Sequence, residues 1–121
     1  MWTYRQRTGH LLKDGVFVAK GYSGDGPAFA EGRNNPDMEH IKGKGPIPRG
    51  RWTISKPRNS VNVGPHAMDL VPVGHDAHGR TAFMIHGDNK AQDASRGCII
   101  LPRNIREKIS ASGDRKLTVV E

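Results

Sequence analysis

A chain of 121 residues, 35% hydrophobic and only 6% aromatic, can build one core of Val, Ile and Leu but not two independent ones. Its 19 Lys and Arg outnumber 12 Asp and Glu, giving a formal charge of +7 that is spread along the whole length. The single cysteine, Cys98, excludes an internal disulfide and a multi-cysteine zinc site, and no apolar run is long enough for a transmembrane helix.

Fifteen glycines and eight prolines favour tight turns over long helices, so the expectation is one mainly β domain over residues 1–121. Trp2 to Gln6 alternates as a strand, Thr8-Gly9 turns, and His10 to Lys13 continues. Asp14-Gly15 is a hairpin signal leading into Val16 to Ala19, followed by Gly21-Tyr22-Ser23-Gly24. From Asp25 to Gly45, Gly, Asn, Pro and charged residues dominate, which predicts a long surface loop with one helical turn around Asp37 to Lys42. Arg51 to Ser55 alternates again, with Trp52 and Ile54 on one face, and Lys56 to Pro65 reads as a loop. Ala67 to Val73 is a strand that Pro72 places near a sheet edge, and Gly74 to Arg80 is a turn.

Thr81 to His86 is the clearest strand: Phe83 and Ile85 share one face, while Ala82, Met84 and His86 share the other. His86 ends it and Gly87 breaks it. A second apolar run follows at Cys98-Ile99-Ile100-Leu101. Pro102 suits the first turn of a helix, Ile105 and Ile109 follow at one-turn spacing, and Gly113 stops it. Leu117 to Val120 closes the chain as a strand.

The chemistry lies between the two apolar runs. A thiol attacks as its thiolate, and an adjacent imidazole can take the proton. His86 at a strand end and Cys98 after Ser95-Arg96-Gly97 supply both groups. In this reading Gly97 lets backbone N–H groups approach a reacting carbonyl as an oxyanion hole, and Arg96 places positive charge beside the sulfur. The Leu101-Pro102 passage aims a helix N-terminus nearby. Taken alone, Cys98 reads as a small buried hydrophobe and His86 as a hydrogen-bonded core residue. Their pairing with Gly87 and with Ser95-x-Gly97 favours catalysis.

His86-Gly87 and Ser95-Arg96-Gly97-Cys98 resemble the histidine-glycine and serine-x-glycine-cysteine signature of L,D-transpeptidase catalytic domains. Pro48-Arg49-Gly50-Arg51-Trp52-Thr53-Ile54 resembles that family's upstream strand. The Trp-x-Tyr start, Gly21 to Gly24, Asn34-Asn35-Pro36, Gly45-Pro46-Ile47-Pro48 and His86-Gly87-Asp88 are similar to the type VI secretion L,D-transpeptidase effectors. Arg96 stands where the broader family often has a second histidine, and Ile100 where an arginine often follows the cysteine; both are read as marks of the effector group.

The resemblance implies a mainly β, L,D-transpeptidase-like sandwich or barrel with one short helix after the catalytic cysteine, and neither metal nor organic cofactor. It implies that Cys98 attacks the meso-diaminopimelate carbonyl of peptidoglycan tetrapeptide stems and that His86 hands a proton to the departing D-alanine. Water then resolves the thioester (L,D-carboxypeptidase) or an amine does (L,D-transpeptidase). Ser95, Arg96, Gly97 and Gly87 are the supporting and oxyanion residues; Asp88, Tyr22 and Ser23 are candidate substrate contacts. Ser95 reads equally as a turn serine, Arg96 and Asp88 as solvated loop charges, and Tyr22 and Ser23 as structural residues. The implied partners are peptidoglycan stems, a secretion apparatus and a cognate immunity protein. Met1 to Gly15 lacks the apolar stretch of a signal peptide, which predicts synthesis in the cytoplasm and a dedicated route to a target bacterium's periplasm.

Two other readings compete. A non-enzymatic basic module would bind an anionic polymer through its positive field. Nucleic acid is the least favoured such polymer, because no helix-turn-helix signature, ribonucleoprotein-type aromatic motif or basic arm accompanies the charge. A zinc hydrolase would draw on His66, His75, His78 and His86, but the sequence has no His-Glu-x-x-His helix. Neither explains the pairing of histidine-glycine with the cysteine.

Overall fold

The computed structural model describes residues 1–26 and 31–121, and these form nine strands of one sheet and a single α-helix. β1 (Trp2–Arg5), β2 (His10–Lys13) and β3 (Val16–Lys20) make the expected meander. The turn between β2 and β3 works because Asp14 and Gly15 both take positive φ, 49° and 85°, as a two-residue hairpin with matching twist requires. β4 (Tyr22–Ser23), β5 (Gly50–Ser60), β6 (Gly64–Val73), β7 (Met84–His86), β8 (Ile99–Ile100) and β9 (Lys116–Val120) complete the set. Across the sheet the order is β3-β2-β1-β9-β5-β6-β7-β8-β4. β1 runs parallel to β9 and β7 parallel to β8; the other neighbours are antiparallel.

The outermost strands, β3 and β4, are separated in sequence by Gly21 alone. A sheet whose two edges are consecutive in the chain has to curl until those edges approach each other, because one residue spans only about 3.3–3.6 Å. β3 and β4 are not paired, however. The expectation of a mainly β fold with one short helix therefore holds, built as one rolled sheet that is open along a seam. At the seam the Gly21 N–H donates to the Gly9 carbonyl at 2.8 Å. A Cβ on Gly9 would sit 2.0 Å from the Gly21 oxygen, so only glycine fits.

The inner face of the roll carries alternate residues of successive strands: Trp2 and Tyr4, Leu117 and Val119, Trp52 and Ile54, Met68 and Leu70, then Ile85 and Ile99. Burying each large apolar side chain stabilises the fold by about 1.5–3 kcal/mol. Trp52 meets Phe83 edge to face at 5.1 Å, and its indole N–H donates to the Pro48 carbonyl at 3.1 Å. The helix α1 (Arg103–Ser112) starts after Pro102 and ends at Gly113, whose φ of 72° is left-handed. Its Ile105 and Ile109 join the same core.

Several expectations are corrected. Residues 56–65 are not a loop, because β5 and β6 extend into a long hairpin. Register shifts between Ile54 and Pro57 and between Arg58 and Ser60 accommodate Pro57 within it. β6 is interior, not near an edge. Yet β7 is only three residues long and pairs with Met68 and Asp69, so Pro72 has a paired strand on one side only. The helical turn in the 25–45 loop is a 3₁₀ turn at Pro36–Met38, capped by Asn35, whose side chain accepts from the Asp37 N–H. Positions 27–30 of that loop lie outside the described residues. Among the described residues no helix is long and apolar enough to cross a membrane.

Replacing Ile99, fully buried on β8, with Ala is expected to lower the unfolding free energy in urea by about 2–5 kcal/mol. Val61→Ala, in the exposed β5–β6 turn, is expected to change it by less than about 0.5 kcal/mol.

Candidate active site

His86 ends β7, and Cys98 stands one residue before β8, the strand that pairs with β7. The parallel register of the two strands pairs Ile85 with Ile99 and His86 with Ile100. Ile85 and Ile99 both face the core. Alternation then turns Met84, His86, Cys98 and Ile100 to the opposite face. Cys98 falls beside Met84, and His86 is its diagonal neighbour.

The expected strand Thr81–His86 is shorter than predicted and starts at Met84. Ala82 takes φ +64°, a left-handed conformation that ordinary residues avoid outside special sites. The Cys98 thiol is directed at the Ala82 carbonyl, 3.7 Å away. Among the described residues no hydrogen bond joins Cys98 to His86. His86 Nδ1 instead lies 2.8 Å from the Gly87 carbonyl oxygen. A carbonyl can only accept, so Nδ1 carries the proton, and Nε2 keeps the lone pair that a general base needs.

Burial pushes the Cys98 thiol pKa up, opposed by the Met84 backbone N–H and the Arg80 cation. Burial also holds His86 below its usual 6.5, and Arg106 pushes the same way against the Gly87 hydrogen bond and Asp88. The imidazole is therefore neutral and able to accept a proton at pH 7.

Two buried arginines frame the pair, and nothing in the sequence pattern marks them. Arg80 Nη1 donates to the carbonyls of Glu39 and Pro46 at 2.6 and 3.0 Å, and Nη2 to those of Gly45 and Arg96, both at 3.0 Å. Arg106, from α1, donates to the carbonyls of His66, Leu101 and Pro65 at 3.0, 2.6 and 3.3 Å. Its guanidinium lies against Gly87, where a Cβ would be 3.0 Å from Nη1. What the helix contributes to the site is thus Arg106 beside the histidine.

The loop leading to Cys98 is held by hydroxyls. Ser95 Oγ donates to the Cys98 carbonyl at 2.5 Å and accepts from the Gly24 and Gly97 N–H groups at 2.9 and 3.1 Å. Ser95 therefore shapes the loop and does not touch His86. The Gly97 N–H, expected at an oxyanion hole, is engaged by Ser95. Gly97 is required by space as well: its φ is +142°, and a Cβ would meet Arg80 Nη2 at 2.6 Å.

Ser23 is fully buried, donating to the Gly97 carbonyl and accepting from the Ile47 N–H, both at 2.8 Å. It braces the loop and cannot be the expected substrate contact. The Tyr22 hydroxyl donates to Asp88 at 2.6 Å and accepts from the Ala94 N–H at 3.0 Å. Burial and the Asp88 hydrogen bond push its pKa up to about 12. Arg33 stacks over the Tyr22 ring, 3.9 Å from its centroid, and donates to the Gln92 carbonyl. Tyr22 and Asp88 thus tie down the 87–97 loop.

A cleft of about 310 Å³ opens at the thiol, lined among others by Lys42, Arg80, Phe83 and Arg96. Among the described residues its lining includes three cations and no carboxylate. Among the described residues, a larger hollow of about 690 Å³, between Met1, Arg51, Val73 and Lys116, is lined by neither cysteine nor histidine. The other histidines named for zinc are dispersed: His66 bonds Ser110, His75 the Arg51 carbonyl and His78 Glu39. Among the described residues no three metal-ligating side chains converge. Burial would raise the Glu39 pKa, but hydrogen bonds from Gln6, His78 and Arg49 outweigh it and bring it down to about 2.

Two outcomes follow. Ser95→Ala strands three backbone groups and is expected to lower stability by about 1–3 kcal/mol in denaturant unfolding. Because the folded His86 pKa is depressed, the unfolded chain takes up that proton first as pH falls. The stability it contributes is full above pH 6.5 and declines below. His86→Gln should flatten that part of a pH–stability curve.

The sequence model of one protein family, the Tlde1 domain, matches residues 18–120, a span that takes in most of β3 and every residue of the site. No curated protein and no solved structure matches the chain. With the match covering most of its length, the chain belongs to the Tlde1 domain family, the type VI secretion L,D-transpeptidase effectors.

Proposed function

We propose that Cys98 and His86 form the nucleophile–base pair of a peptidoglycan-modifying enzyme that removes or exchanges the terminal D-alanine of tetrapeptide stems. The observation that carries this reading is the β7–β8 register, which sets both residues on one face, with the thiol at a cationic cleft. The Cys98 thiol turns from the Ala82 carbonyl toward His86 Nε2 and gives up its proton. Catalytic hydrogen bonds of this kind often tighten only when substrate binds. The sulfur then attacks the carbonyl carbon of the L-centre of meso-diaminopimelate. As the tetrahedral intermediate collapses, the amide C–N bond breaks and the imidazolium returns the proton to the departing D-alanine amine. Water or an acceptor amine releases the thioester and restores the thiol.

The cleft suits such a substrate. Stem peptides end in carboxylates, and Lys42 and Arg96 are exposed cations beside the thiol. The Gly87 carbonyl plays the orienting part that a carboxylate plays in other triads, holding Nδ1–H so that Nε2 faces the reaction. As an effector delivered into target cells, the protein would act in the periplasm and deplete the tetrapeptides that new crosslinks need. A cognate immunity protein over the Cys98 cleft would protect the producer.

Purified muropeptides incubated with wild type, Cys98→Ala and His86→Gln, and read by mass spectrometry, test the proposal. Wild type is expected to convert tetrapeptides to tripeptides, or to exchange the terminal residue when a free D-amino acid is supplied. Cys98→Ala should yield no product, and His86→Gln should be slower by about 10²–10⁴-fold. Equal products from wild type and Cys98→Ala would defeat the reading.

A further inference from the structure

We propose that Arg80 is a positioning residue for Cys98, its buried guanidinium clamped on the loop carbonyls that wall the cleft and serving as the fixed counter-charge of the thiolate. Arg80 is 7% exposed, and its two terminal nitrogens donate to four backbone carbonyls, those of Glu39, Gly45, Pro46 and Arg96. That clamp joins the segment before β5 to the residue two places ahead of the nucleophile. The Phe83 ring lies 5.0 Å from the guanidinium carbon, and the bare Cα of Gly97 leaves room for Nη2. The cation therefore has little freedom to move.

Its charge is only partly matched, because the one carboxylate among the described residues that acts on it, Glu39, is already engaged by Gln6, Arg49 and His78. Among the described residues no carboxylate lies within salt-bridge distance of Arg80. Four carbonyl dipoles solvate the guanidinium without neutralising it, and a buried net charge is expensive unless something compensates it. The sole thiol lines the same cleft. When Sγ loses its proton to His86, a negative charge forms where a positive one is already fixed, in surroundings that screen poorly. Arg80 itself exchanges no proton.

The other charged groups around the sulfur are weaker candidates. Lys42 and Arg96 are exposed and screened by solvent. Asp69, from β6, acts against the thiolate and is paired with Arg58 at 2.8 and 3.1 Å. His86, from β7, is held neutral by burial. Lysine could not replace Arg80 fully, because a point charge cannot span four carbonyls as the planar fork does.

The inference rests on Cys98 being the nucleophile, but its test reads thiol chemistry and not turnover. The rate of Cys98 alkylation by iodoacetamide is measured against pH in wild type, Arg80→Met, Arg80→Lys and a Lys42→Gln/Arg96→Gln double variant, with folding followed by circular dichroism. Arg80→Met is expected to move the titration midpoint up by about one unit or more, roughly a tenfold loss of thiolate at neutral pH. Arg80→Lys should fall between it and wild type. The double variant, altered only at exposed positions, should stay within about 0.3 unit of wild type. A folded Arg80→Met with the wild-type midpoint would overturn the assignment. So would a full-unit rise in the double variant, which decides the matter even if Arg80→Met does not fold. Equal muropeptide processing by Cys98→Ala would instead sink the enzymatic reading and leave the alkylation result standing.

Discussion

The parallel pairing of β7 with β8 is the constraint on which the site depends. Ile85 and Ile99 are both fully buried and lie side by side in the core. That apolar contact fixes the register, and the register fixes which residues look outward. Sliding β8 by one position would turn Cys98 to the other face of the sheet, away from the face of His86. A parallel pair also needs a crossover, which is why a long polar segment separates His86 from Cys98 in sequence though their strands are adjacent.

That crossover has almost no regular structure, and its backbone groups need partners from elsewhere. Ser95, Ser23, Tyr22 and Arg33 provide several of them. Arg80 and Arg106 do the same for the flanking segments, each through carbonyl oxygens and neither through a carboxylate. The two cations act in opposite senses. Arg80 favours the charged form of Cys98, and Arg106 the neutral form of His86. Arg80 thus eases loss of the Cys98 proton, whereas Arg106 keeps His86 neutral at rest and opposes its becoming an imidazolium.

Much of this was legible in the chain. The first hairpin, the helix from Pro102 to Gly113 and the closing strand were each marked by local turn chemistry or a clear period, and the structure has all three. The histidine-glycine and serine-x-glycine-cysteine strings named the candidate pair, His86 and Cys98. What escaped was set by tertiary context. The extension of β5 past Ser55 was hidden because bulges break the alternation that announces a strand. The rolled sheet follows from strand order, which no local pattern encodes. Ser23 reads like any turn serine until its burial is known. Arg80 and Arg106 look like two more surface charges in a basic chain, because the carbonyls that cradle them come from distant segments.

In the proposed mechanism Cys98 passes its proton to His86. Nuclear magnetic resonance titration of the His86 ring in ¹⁵N-histidine-labelled protein, compared with the Cys98→Ala variant, tests it most directly. Coupled groups report each other's ionisation. The wild-type His86 curve should therefore carry a second, alkaline inflection belonging to the thiol, absent without the sulfur. Superimposable single-step curves would show that the two groups do not communicate and would contradict the account.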